Sequence, residues 1–279
     1  MLTATVCLIG LAATIVSLRT WRKLRGTTLS APCAWAAASL ALVTCAVGAS
    51  AISGDPARAN WAAHVDYLAG ITTVSPFVAL LGAKRPQDRA WQLIVAALVA
   101  LLAFQDLRAW TTDGSLSPAP HAAWRWLTTG LSVMQLLNYL ATRHAAAACL
   151  AFAGQVCLLG GNLLVVPVEF PQRMPCGLAL VSTAVFVAAW CEREARRSGD
   201  HAHDIWLEFR DRYGALWALR VAERVNAVAA HQNSRFRLQW SGFRQEQFDT
   251  EQVENGPSPD ADAIRKTLQT LLARFLRSA

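Results

Sequence analysis

Charge is scarce in this chain: 16% of its 279 residues are Asp, Glu, Lys or Arg, against roughly 25% in a soluble domain. The shortage is local. Residues 1–191 carry 12 Lys+Arg and 6 Asp+Glu, whereas residues 192–279 carry 14 and 13. Lysine is rarer still, with Lys23, Lys84 and Lys266 the only three. The seven cysteines form no Cys-x-x-Cys pair and no Cys/His metal spacing, which excludes a zinc site or disulfide framework of the usual kinds. No Gly-rich phosphate loop, nucleophile elbow or paired-carboxylate arrangement is present. No cofactor and no enzymatic activity are therefore expected. Net charge is +6 in the first part and +1 in the second, so the excess is not a basic patch on the tail and nucleic acid is not an expected partner.

What the chain does have is long apolar runs. Hydrophobic residues make up 54% and mean hydropathy is +0.28. The runs read as Leu2–Leu18, Ala31–Ile52, Trp61–Gly82, Ala90–Trp110, His121–Thr142, Ala145–Val166 and Met174–Cys191. Their lengths approach the ~20 residues a helix needs to cross a bilayer, and a helix satisfies its own backbone in lipid. The expected fold is an all-α membrane protein with about seven transmembrane helices in residues 1–191. Residues 192–244 are expected to hold a juxtamembrane amphipathic helix and a short strand, 245–261 an acidic linker, and 262–279 a C-terminal amphipathic helix.

Alternate connections differ in charge. One set holds Arg19, Arg22, Lys23, Arg25, Lys84, Arg85, Arg89, Arg143, Arg193, Arg196 and Arg197; the other holds Arg58, Arg108, Arg125 and Arg173. Cytoplasmic turns keep the positive excess, so the N-terminus is expected outside and the C-terminus in the cytoplasm of a bacterial inner membrane. Trp21, Trp35, Trp91 and Trp190 fall at the predicted inner ends, and Trp61, Trp110, Trp124 and Trp126 at the outer ends, as interfacial indoles do. Small residues on the second span (Ala34, Ala38, Gly48) and sixth span (Gly154, Gly160, Gly161) suit close helix packing.

Ionisable groups inside spans are costly and mark candidate sites. His64, Asp66, Asp106 and Arg125 share one outer layer, with His121 and Arg108 just above. An Asp66–Arg125 or Asp106–Arg125 pair is expected to neutralise the charges. From Arg125 a stripe of Thr129, Ser132, Gln135, Tyr139 and Thr142 continues inward at helical spacing, with Gln155 and Asn162 placed to face it. Two readings stand side by side: interhelical hydrogen bonding, or a pocket for a small ligand, ion or proton. His64 and His121 also raise haem ligation as a third possibility. His201 and His203 beside Asp200 and Asp204 read as a solvated helix start rather than a metal site.

In the tail, Trp206, Phe209, Tyr213 and Trp217 recur at helical spacing with Arg210, Arg220 and Arg224 nearby. Such a face suits the anionic inner leaflet or packing on the bundle. Phe236, Leu238 and Trp240 alternate with polar residues, giving a lone strand that would pair in an oligomer. Ser258 and Pro259 can start the last helix, whose Leu268, Leu272 and Phe275 must dock on the tail, the lipid bilayer or a partner. A protein partner or self-association through the tail is expected.

The segments GAKRP (82–86) and WLEFRDRYGALWALRVAERVN (206–226) resemble parts of uncharacterised bacterial multi-pass membrane proteins. The resemblance implies a multi-pass fold and brings no activity, ligand or catalytic residue. Seven spans also suggest rhodopsins and PQ-loop carriers. No lysine in the last span can hold retinal, and Pro86-Gln87 and Pro171-Gln172 lie on opposite sides of the expected topology.

The leading expectation is a non-enzymatic sensor or scaffold presenting a cytoplasmic tail. The alternative is a small-solute or proton transporter using the fifth-span stripe, and a second alternative is an intramembrane haem protein.

Overall fold

A computed structural model of the chain describes residues 2–52, 56–83, 89–112, 122–164, 172–195, 201–231 and 236–245, together with Thr270, Leu272 and Phe275. The helices run α1 (Leu2–Lys23), α2 (Ser30–Ile52), α3 (Pro56–Thr72), α4 (Ser75–Leu81), α5 (Arg89–Thr112), α6 (Ala122–Leu140), α7 (Ala145–Leu159), α8 (Arg173–Ala195) and α9 (His201–His231). A 3-10 turn, Gly160–Asn162, closes α7, and a hairpin of β1 (Phe236–Gln239) and β2 (Gly242–Gln245) follows α9.

Within the described residues each expected apolar run is largely helical, but not each is equally apolar. Among the described residues, five segments are long and apolar enough to cross a membrane: Leu2–Lys23, Ser30–Ala51, Ala62–Leu81, Ala145–Asn162 and Arg173–Arg193. Ala90–Phe104 forms a shorter apolar helix. Helix α6 is diluted by the polar stripe that starts at Arg125, which is why it falls outside that set. Apolar side chains stand exposed along α1 (Leu8, Leu11, Ile15) and α5 (Leu93, Ile94, Leu101), larger apolar surfaces than water tolerates.

The bundle packs through small residues where backbones meet. A Cβ on Gly154 of α7 would lie 3.0 Å from the Gly177 carbonyl oxygen of α8, so these two helices cross at backbone contact. Gly48, placed by the sequence in the same role, would meet only the Cys7 sulfur, at 3.9 Å. That is ordinary contact.

The third apolar segment is two helices. Pro76 stands in the first turn of α4; it has no N–H and its ring displaces the preceding turn. The freed Thr72 carbonyl accepts from Ser39 Oγ at 2.6 Å, and the Thr73 carbonyl accepts from Gln155 Nε2 at 3.0 Å.

Helix α9 and the hairpin close one end of the bundle. Trp206, Phe209, Tyr213, Trp217, Val221 and Val225 of α9 are buried in one cluster with Leu29, Phe77, Leu80 and Ala83 of the bundle and Leu238 of β1. Leu272 and Phe275 complete it, and the Phe275 ring lies 5.1–5.4 Å from those of Phe209, Tyr213 and Trp217. The aromatic face offered by the sequence to a lipid surface is thus turned inward on the chain itself. The lone strand also finds its partner at home. Strand β1 pairs antiparallel with β2 in the register Phe236↔Gln245, Leu238↔Phe243, so no second subunit is needed to complete it. Asn226 holds its inner edge, accepting from Leu238 N at 2.7 Å and donating to its carbonyl at 2.9 Å. The acidic linker and the start of the C-terminal helix, Leu268 included, lie outside the described residues.

Helix α9 is broken at Gly214, whose φ is 76°, a region that favours glycine. A Cβ there would sit 2.1 Å from Asn138 Nδ2. Gly214→Ala is therefore expected to weaken tail docking by about 1–3 kcal/mol, read as a lower unfolding temperature in detergent and faster protease cleavage within α9. An unchanged cleavage rate would contradict the role given to this residue.

Candidate functional site

The polar groups of α6 line up in one column, and what they touch is mostly broken backbone. At the end of α6 away from the tail, Arg125 Nη2 donates to the Leu163 carbonyl at 2.9 Å, placing a cation on the negative C-terminal end of α7 and its 3-10 turn. One turn inward, Thr129 Oγ1 accepts from Leu164 N at 3.1 Å. Ser132 is fully buried. Gln135 Oε1 accepts from Gln155 Nε2 at 3.1 Å, and the same Gln155 nitrogen reaches the Thr73 carbonyl. Asn162 sits half-buried in the 3-10 turn.

The column ends on the tail. Tyr139 OH donates to the Arg212 carbonyl at 3.1 Å. Asn138 Nδ2 donates to the Tyr213 carbonyl at 3.3 Å, while its Oδ1 accepts from Leu216 N at 2.9 Å. One amide thus serves the last carbonyl before the Gly214 break and a freed N–H after it, both of which the break leaves without helical partners. Asn138 escaped the sequence reading, although it lies three residues beyond Gln135 and so on the same face.

The outer carboxylates do not find Arg125. Asp106 Oδ1 lies 2.7 Å from His64 Nδ1, joining α5 to α3 with both side chains buried. Asp66 Oδ1 accepts from Ser50 Oγ at 3.3 Å. The expected Asp–Arg125 pairs give way to these because α3 packs against α5 and α2, whereas Arg125 points at the end of α7. Tyr67 OH donates to the Leu102 carbonyl at 3.3 Å, extending the α3–α5 seam one turn inward. His121, the other half of the haem possibility, lies outside the described residues. Among the described residues no group of three or more His, Cys, Asp or Glu is placed to hold a metal ion.

A second charged centre clamps the tail. Glu192 at the end of α8 meets Arg143 Nη2 at 3.0 Å and Arg212 Nη2 at 3.2 Å. Arg212 also meets Glu208 at 2.6 Å, and Arg143 Nε lies 3.7 Å from Asp211. Burial opposes the charge on Arg212, but the hydrogen bond and charge of Glu192 outweigh it and hold the guanidinium above its usual range. Tyr213 is held by the α1–α2 turn and the C-terminal segment: its OH lies 2.6 Å from Thr28 Oγ1 and donates to the Phe275 carbonyl at 3.2 Å. Burial raises this phenol to about 12 despite the opposing Thr28 hydrogen bond, so it stays a hydrogen-bond donor through the physiological range. Trp217 Nε1 donates to the Leu80 carbonyl at 2.9 Å, capping α4.

Glu192→Gln is expected to leave Arg143 and Arg212 without their shared anion and to lower stability by about 1–3 kcal/mol, measured as a shift of the thermal midpoint. The same variant should flatten the salt dependence of that midpoint, since the clamp is partly exposed and open to screening.

Comparison with protein-family models, with curated proteins and with solved structures finds no match.

Proposed function

We propose that the chain is a multi-pass protein of a bacterial inner membrane, with seven spans, its N-terminus outside and its tail in the cytoplasm. In this reading it acts as a non-enzymatic sensor or scaffold. The observation that carries the proposal is the two-ended engagement of α6. Arg125 is anchored at the outer end, and Asn138 grips the kink of the tail 13 residues away, about 20 Å along a helix. A displacement of α6 in the membrane would reach the tail directly.

The orientation draws support from where the tail docks. The elements that receive it are the α1–α2 turn, the end of α4, the α6–α7 turn and the end of α8. These are the ends where the sequence places its arginine-rich connections, the side kept in the cytoplasm.

The transport reading has one point in its favour, since Thr129, Ser132 and Gln155 face the interior and not lipid. Against it, the column's groups are largely engaged in bonds to broken backbone, which is what lipid demands of irregular structure. Packing suffices to explain them.

Two measurements test the proposal. A cysteine placed by Ser198→Cys in a cysteine-free background should resist membrane-impermeant thiol reagents in intact cells and react after permeabilisation; labelling of intact cells would reverse the orientation. Hydrogen exchange across residues 201–231 should rise in Arg125→Leu relative to the parent protein in nanodiscs. Equal protection in the two would remove the link between the outer layer and the tail.

A further inference from the structure

We propose that the α6–α7 seam holds a buried water molecule between Ser132 and Gln155, level with the break that separates α3 from α4. Gln155 is 2% exposed and Ser132 fully buried. The Gln155 amide spends its nitrogen twice, on the Thr73 carbonyl and on Gln135 Oε1, yet its oxygen has no hydrogen-bond partner. Ser132 Oγ is likewise buried and unpartnered. Their common location follows from their neighbours. Thr129 and Gln135 stand one turn to either side of Ser132 on α6, and both bond to the α7 segment, at Leu164 and Gln155. The Ser132 hydroxyl therefore opens on the same seam, between those two contacts.

The two orphan atoms differ in what they can accept. An amide oxygen only accepts, so its partner must donate; a serine hydroxyl does either. A guest that donates to Gln155 Oε1 and accepts from Ser132 Oγ satisfies both, and Gln135 Oε1 retains a second lone pair for it. Water has this capacity and the smallest volume, and buried waters take about three such partners. A metal cation fits poorly. The groups that meet here are neutral, and an uncompensated charge in so buried a place is strongly disfavoured. Ordered water is also one of the means by which a proline-broken helix is tolerated in lipid.

X-ray hydroxyl-radical footprinting of the full-length protein in nanodiscs tests this, because radicals formed from a bound water mark adjacent side chains regardless of bulk exposure. Leu158 and Leu159 flank Gln155 by one turn and are buried; Leu178 and Leu102 are equally buried and serve as controls. Labelling at Leu158 or Leu159 well above the controls is expected in the parent protein. It should be lost in Ser132→Ala, which leaves the Gln155–Thr73 bond in place, and in Gln155→Leu. Parent labelling at the control level would overturn the proposal, as would labelling that persists in Ser132→Ala with an unchanged thermal midpoint.

Discussion

A peptide group removed from water must bond to something, and in this protein that constraint decides where the polar side chains go. Three helices are interrupted: α3 from α4 at Pro76, α7 at Gly160, and α9 at Gly214. Each interruption frees carbonyls or N–H groups that a continuous helix would satisfy internally. Ser39 and Gln155 serve the first, Arg125 and Thr129 the second, and Asn138 with Tyr139 the third. Four of these six side chains lie on α6. A helix that is not among the five most apolar spans is thus the one on which the bundle's irregular geometry rests.

That dependence ties the two ends of the molecule together. At one end a seam joins α3 to α5 through His64 and Asp106, while the opposite end joins α6 and α8 to the tail through Asn138, Tyr139 and Glu192. The tail is not a separate body on a tether. Its aromatic face shares one apolar cluster with Leu29, Phe77 and Leu80 of the bundle. Aromatic contacts of this kind contribute about 0.5–1.5 kcal/mol each beyond area burial, and Phe275 alone makes three.

Much of this was legible in the residues. Within the described residues the apolar runs are helical close to where their lengths placed them, the third as two helices, and Thr129 and Ser132 of the stripe are buried. The partners were not legible. Periodicity fixes which residues share a face but not which helix lies opposite, so it offers Asp66 or Asp106 to Arg125, whereas Asp106 lies against His64 and Asp66 against Ser50. Continuous amphipathic spacing through 204–230 concealed the break at Gly214, because the apolar residues resume on both sides of it. The second strand was missed because GFRQ is too short to show alternation, although the glycine at 242, with φ 124°, is a turn signal. Pro76 is visible in the sequence, but that Ser39 stands near enough to take the Thr72 carbonyl it frees is not.

The bond between Thr28 and the Phe275 carbonyl spans 247 residues of chain, and it sets an order of events. Long-range contacts form late, and this one closes only after everything between its ends has been synthesised and inserted. Until then Trp206, Phe209 and Tyr213 have no complete surface to enter. That end of the bundle accepts them only if the α1–α2 turn, α4, α6 and α8 all bring their ends together there. Were one of them turned to the opposite end, three aromatic rings would lose part of the surface that buries them. Docking of the tail is thereby conditional on the bundle's own geometry.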